Sequence, residues 1–234
     1  MTRLEMTRFD QIFEHRPAIL PVIHVESLDQ ALRNAQIARQ AGCDGVFLIN
    51  HTGSYADLLA VHHAVFNEFP DWWIGVNCLD LRPEQLFEKI NEEVAGVWVD
   101  NARIDEQAER QEIAEQIAAA RSESGWQGLY FGGVAFKYQR QVDDLERAAI
   151  LATQYMDVVT TSGSGTGQSA HVDKIRTMKQ AIGAFPLALA SGVTPENASQ
   201  YLQIADCFLV ATGISRSWSE LDPERVASLV SRVR

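Results

Sequence analysis

Eight short apolar runs, each followed by a segment of helical character, constrain this chain more than any other feature in it. The runs are AILPVIH (18–24), GVFLIN (45–50), WWIGVNC (72–78), VAGVWVD (94–100), GLYFGGVAF (128–136), MDVVTT (156–161), FPLALA (185–190) and DCFLVAT (206–212). They are rich in Val, Ile, Leu and aromatic residues and do not alternate with polar ones, which is the pattern of strands buried on both faces of a parallel sheet. They recur every roughly 20–33 residues, close to the size of one strand–helix unit. Eight such units predict the α/β class and a single (β/α)8 barrel over residues 1–234, with 1–16 as an N-terminal extension. The rival, a doubly wound open sheet, needs polar edge strands, and none of the runs reads as an edge.

The intervening segments carry helix signals. Ser27 and Gln30 form a capping box, Leu28, Ala31, Leu32, Ala35 and Ala38 then share one face, and Gly42 ends it. Thr194-Pro195 and Asp222-Pro223 each read as an N-cap followed by proline at the first helical position. Val172, Ile175, Met178 and Ile182 give another apolar stripe, and the Glu-, Gln- and Ala-rich stretch 105–121 favours helix. No Pro/Gly/Ser-rich linker divides the chain.

The formal net charge of −11 argues against nucleic acid as a partner, though not against a local cationic pocket. No apolar run is long enough to cross a bilayer and the opening MTRLEMTRFDQ is polar, so the expected setting is the cytoplasm, with no membrane partner. Met6 reads as an alternative start. Cys43, Cys78 and Cys207 lie far apart near apolar runs, as reduced thiols do.

In a barrel, active sites lie at the carboxyl ends of the strands. The residues just after the runs therefore name the candidates: His24 and Glu26; Asn50 and His51; Asn77 and Asp80; Asp100 and Asn101; Lys137; and the Gly-, Ser- and Thr-rich turns after strands six, seven and eight. The turn TSGSGTG supplies Gly163, Ser164, Gly165, Thr166 and Gly167; ASGVTPEN supplies Ser191 and Gly192; ATGISRS supplies Thr212 and Gly213. Such turns present main-chain N–H groups, and barrels bind phosphate around the turns after strands seven and eight. Asn50 and Asn77 join them as substrate-binding candidates. Without a Gly-Lys-Ser/Thr ending, the glycine turn is not a nucleotide-triphosphate P-loop.

Lys137, Asp100 and His24 are the catalytic candidates. Lys137 is suited to stabilise developing negative charge or to form a Schiff base. Asp100 is suited to proton transfer, and otherwise to capping a helix. His24 with Glu26 is suited to shuttle a proton near neutral pH. Asp80 reads more readily as the opener of a helix at Pro83. His62 and His63, adjacent on a helix, cannot both face one site. A divalent metal at His24, Glu26 and Asp100 has no tight ligand spacing behind it, and neither metal nor cofactor is expected.

LPVIHVESL, AGCDGVFLIN, IGVNCL, VAFKY, DVVTTSGSGTGQ, LALASGVTPENASQYL and ADCFLVATGIS together resemble the BtpA/SgcQ family over roughly residues 18–215. The resemblance implies a phosphate-binding TIM barrel. It departs after strand three, where CLDLRP stands in place of the family's Arg-Asn-Asp, and at WVDN, where the family often carries an arginine. The leading expectation is an enzyme acting on a small phosphorylated ligand: a phosphosugar, phosphoribosyl compound or nucleotide, by isomerase, lyase, or phosphoribosyl or glycosyl transfer chemistry. The alternative is a non-catalytic ligand-binding or assembly factor, the role associated with the family's founding member in photosystem I assembly. A homo-oligomer is in keeping with either.

Overall fold

A computed structural model of the protein describes residues 6–234, so the segment 1–5 that precedes the alternative start at Met6 lies outside the described residues. Eight parallel strands close into a barrel in the order β1 to β8, with β8 returning to pair with β1. They are β1 (Ala18–His24), β2 (Gly45–Asn50), β3 (Trp73–Cys78), β4 (Gly96–Val99), β5 (Leu129–Gly133), β6 (Val158–Ser162), β7 (Leu187–Ala190) and β8 (Cys207–Val210). Each falls within its apolar run except β6, which extends one residue past it to Ser162, and the expected (β/α)8 barrel is the observed fold. The helices are α1 (Arg8–Ile12), α2 (Leu28–Gln40), α3 (Tyr55–Glu68), α4 (Pro83–Leu86), α5 (Glu112–Ser124), α6 (Leu145–Ala152), α7 (Val172–Ile182) and α8 (Pro223–Val233).

Every strand is buried along its length, yet its side chains divide strictly by parity. Ile19 and Ile23, Val46 and Leu48, and Val97 and Val99 face the helices. Leu20 and Val22, Phe47 and Ile49, Trp98, and Leu209 fill the barrel. The two-residue period of a strand thus survives where the hydrophobicity pattern hides it, because both faces are dry. Gly75 and Gly96 leave room for the Trp73 indole inside the barrel; a Cβ on Gly96 would stand 2.1 Å from that ring. Phe13, its ring 5.3 Å from Trp73, packs against this interior cluster together with Phe9, and both are buried.

The amino ends of three strands are fastened alike. Asp44, Asp157 and Asp206 accept the main-chain N–H of Ile19, Tyr130 and Leu187 at 2.7, 2.8 and 2.8 Å. Each also meets cations: Arg234 for Asp44, Arg8 and Arg121 for Asp157, and Arg16 and Lys179 for Asp206. A carboxylate that satisfies a strand-end donor and holds an arginine or lysine ties each strand to its neighbour and to the outer shell.

Several local expectations need correction. The helix expected after Thr194-Pro195 is a set of turns with one short 3-10 segment, Ala198–Gln200. Asn197 takes over the local bonding there: its Oδ1 accepts Thr194 N–H and its Nδ2 donates to Gly192 O. Tyr201 is buried with its hydroxyl donating to Ala170 O, which fixes the segment before a helix can wind. The helix expected over 105–121 starts instead at Glu112, because Asp105 and Gln111 close a turn through two bonds of 2.8 and 2.7 Å and Glu106 turns inward to a paired contact with Arg140. Ser27 caps α2 through Gln30 N–H, but the Gln30 side chain accepts from Glu26, so the reciprocal half of the box is missing. Asp80 does not open α4, whose cap position is Arg82; it accepts from Asn50 Nδ2 and Tyr55 N–H. Among the described residues no helix is long and apolar enough to cross a membrane.

Candidate active site at the barrel mouth

Strand parity carries the interior past the last apolar layer to a polar one. Val22 is followed two residues on by His24, Ile49 by His51 and Trp98 by Asp100. These three polar residues line one small cavity of about 60 Å³ at the carboxyl end of the barrel. Lys137 enters it from the turn after β5, Thr166 and Gly167 from the turn after β6, Ser191 from that after β7, and Thr212 and Trp218 from the segment after β8. The three catalytic candidates, Lys137, Asp100 and His24, are thereby brought together with four of the substrate-binding ones.

The turns after β6, β7 and β8 interlock through their glycines. A Cβ on Gly192 would lie 2.2 Å from Gln168 O, one on Gly163 2.2 Å from the same oxygen, and one on Gly213 1.9 Å from Val193 O. Gly192 also has φ +74°, a left-handed backbone open to glycine at little cost. Ser191 joins β7's turn to β6's: its Oγ accepts Gly167 N–H at 2.9 Å and donates to Gly165 O at 3.1 Å. Ser191 is held at φ 86°. Two other non-glycine residues near the mouth, Ala135 and Tyr138, also have positive φ, a concentration of strained backbone that marks functional sites. The main-chain N–H groups of Gly192, Val193, Thr212 and Gly213 find no acceptor among the described residues, while those of Thr166 and Gly167 are taken by Tyr138 and Ser191. Thr212 to Ile214 form a short 3-10 turn.

The charges around the cavity are unequal. Burial pushes the Asp100 carboxyl up, while a 3.0 Å bond from Asn77 Nδ2 and the positive charge of Lys137 pull the other way. Burial, then the neighbouring His51 ring, pushes His24 down to about 4, so it is a neutral imidazole at pH 7. His51 is lowered as well, first by burial. His24 Nδ1 and Trp98 Nε1 are buried without a hydrogen-bond partner among the described residues. The His24–Glu26 pair expected from the sequence does not form: Glu26 accepts from Ser219 Oγ instead. Among the described residues no cluster of three or more His, Cys, Asp or Glu side chains is arranged for a metal ion.

The remaining candidates lie beside the cavity. Asn77 reaches it only through Asp100. Asn50, on the outward parity of β2, spends its amide on Asp80 and Leu79 N–H. Gly163 and Ser164 line a separate cavity of about 390 Å³ between the turns after β5 and β6, which shares Lys137 with the mouth. His62 is buried against Ile74 O and His63 pairs with Glu93, both away from the mouth. His51, a strand-end candidate without an assigned role in the sequence, is the one of the Asn50–His51 pair that parity from Ile49 selects, and one residue of the site has no place among the candidates. Trp218, in an irregular segment, carries no periodic signal at all. Its ring centroid stands 4.1 Å from His24 and 5.0 Å from His51.

The protein is thus a (β/α)8 barrel whose convergent polar groups sit at the carboxyl ends of its strands. The family model of the BtpA family matches residues 134–234, from the end of β5 through α8, and bears out the resemblance read from the sequence. An uncharacterized protein of Thermococcus kodakarensis is 26% identical over 250 residues, spanning 93% of this chain and 95% of that one. Among solved structures, (S)-3-O-geranylgeranylglyceryl phosphate synthase of Thermoplasma acidophilum, in complex with its substrate sn-glycerol-1-phosphate, superimposes with a TM-score of 0.68 at 17% identity, covering 97% of this chain and 98% of that one. Phosphoribosyl anthranilate isomerase of Thermus thermophilus gives 0.65 at 16%, over 92% and 97%. The tryptophan synthase alpha subunit of Legionella pneumophila gives 0.67 at 12%, over 97% and 98%. At these identities the likeness is one of fold.

Proposed function

We propose that the barrel mouth binds a small phosphorylated metabolite, with its phosphate on the turns after β6, β7 and β8 and its reacting end between Lys137 and Asp100. The observation that carries this reading is the convergence of Lys137, Asp100 and His24 on the cavity that Ser191 and Thr212 also line. Unpaired N–H groups of Gly192, Val193, Thr212 and Gly213 are donors of the kind that hold a phosphate dianion. One structural relative is solved in complex with its substrate sn-glycerol-1-phosphate, and another is named for a phosphoribosyl substrate.

The division of labour follows from the electrostatics. Asp100, raised by burial and oriented by Asn77, is the proton-transfer group. Lys137 lines the cavity where it can face charge that develops on the substrate. His24, neutral at working pH, is a hydrogen-bonding group rather than a cation, and its low affinity makes it a poor base. Proton abstraction or transfer beside a phosphorylated carbon skeleton suits isomerase, lyase and glycosyl or phosphoribosyl transfer alike. A purely binding barrel needs the turns but not the lysine–aspartate pair.

Thermal-shift screening against phosphosugars, phosphoribosyl compounds and nucleotides tests the reading, since a ligand that binds only the native state raises its melting temperature. At least one phosphate ester is expected to do so. Lys137→Ala is expected to abolish its turnover while the ester still binds. If no ester in a broad panel shifts the protein, the reading fails; if Lys137→Ala turns over as wild type, the catalytic assignment fails.

A further inference from the structure

We propose that the mouth selects phosphate esters that carry a planar heteroaromatic ring, and that Trp218 is the residue that grips the ring. This rests on the phosphate reading above. Trp218 is 49% exposed, and yet the backbone immediately after it is fastened. The neighbouring Ser219 carbonyl accepts from both Gln30 Nε2 and Asn34 Nδ2 at 2.6 Å, and these two amides are themselves buried on α2. Asn34 Oδ1 also accepts Leu221 N–H at 3.1 Å. Two buried polar side chains are thus committed to fixing an irregular segment whose one aromatic side chain is left half-exposed at the cavity.

The indole rests against His24 and His51, whose own centroids are 4.7 Å apart. Both imidazoles are shifted toward the neutral form, so this corner offers three uncharged π surfaces rather than a cation. The unpartnered Nδ1 of His24 and Nε1 of Trp98 add hydrogen-bonding atoms that a hydrocarbon ring would leave unpaired and a heteroaromatic ring can meet. The cavity as it stands, about 60 Å³, is far below the roughly 300 Å³ of a metabolite pocket. The indole is the half-exposed group over it, with its main chain fixed, so it rotates outward and the ligand's ring takes its place between indole and imidazoles. A phosphate at one end and a stacked ring at the other describe a nucleotide or an aromatic ribotide, not a bare phosphosugar.

Isothermal titration of wild type, Trp218→Ala and Trp218→Phe with adenosine monophosphate, cytidine monophosphate, ribose 5-phosphate and inorganic phosphate tests this. At least one nucleotide is expected to bind wild type roughly tenfold or more tighter than ribose 5-phosphate, the gain of one stacked base. Trp218→Ala is expected to erase that gap while leaving ribose 5-phosphate binding unchanged, and Trp218→Phe to restore most of it. Equal binding of nucleotides and ribose 5-phosphate by wild type, or equal weakening of both by Trp218→Ala, overturns the ring assignment and leaves the phosphate reading standing. If none of the four binds while another ester of the broad panel does, the ring assignment fails and the phosphate reading stands; if no ester of that panel binds either, both fail.

Discussion

His24 joins the barrel interior to the site, and its titration links stability to pH. An unfolded histidine takes its proton near pH 6.5, whereas folded His24 resists until about 4. Between those values the unfolded chain binds more protons, so each step toward acid favours unfolding; above pH 6.5 both states are neutral and the effect is gone. Buried His62 is shifted in the same direction. Asp100, shifted up, works against them, because the folded state takes its proton more readily. Glu106 and Glu196, held at about 2 by Arg140 and by Thr194 with Arg225, lose their contribution only at lower pH. His24→Asn is therefore expected to flatten the fall in stability between pH 6.5 and 4, by up to about 3 kcal/mol at the acid end. Urea unfolding across that range measures it, and parallel curves for variant and wild type would contradict it.

The turns after β6, β7 and β8 are held together by close backbone approach, and glycine substitutions separate that packing from simple strain. Gly125→Ala at the end of α5, with φ +70° and nothing within 4 Å, is expected to cost only the left-handed backbone, about 1 kcal/mol. Gly192→Ala has a similar φ but drives its Cβ into Gln168 O, so it is expected to cost more and to weaken phosphate-ester binding at least tenfold. Denaturation and ligand titration of the pair check this; equal stability and unchanged binding would sink it. All eight strands were legible in the sequence because each is a continuous apolar run. Which of two adjacent strand-end residues points inward was not, since both faces are dry and the runs do not alternate: Asn50 and His51 read alike, and the barrel takes His51. The helices after Thr194 and over 105–121 were misread because Asn197, Tyr201 and Glu106 make long-range or side-chain bonds that local propensity does not contain. Trp218 was invisible because its place depends on Gln30 and Asn34, nearly two hundred residues earlier in the chain.

Across the whole molecule the two ends of the barrel do different work. At the amino ends of the strands, Asp44, Asp157 and Asp206 are engaged with strand donors and cations, an arrangement that holds the barrel closed and leaves these three carboxylates committed. At the carboxyl ends, Lys137, His24 and Trp98 line one cavity; among the described residues His24 Nδ1 and Trp98 Nε1 are without a partner, as are the amides of Gly192, Val193, Thr212 and Gly213 in the turns at that end. That contrast, committed carboxylates below and convergent titratable groups with free amides above, is the reason to place chemistry at the mouth. The most direct test is a crystal structure of the protein with a bound phosphate ester. The account predicts the phosphate within hydrogen-bonding distance of the main-chain N–H groups of Gly192 or Val193 and of Thr212 or Gly213. A phosphate seated elsewhere, as in the 390 Å³ cavity beside Lys174, with those amides still unoccupied, would contradict it.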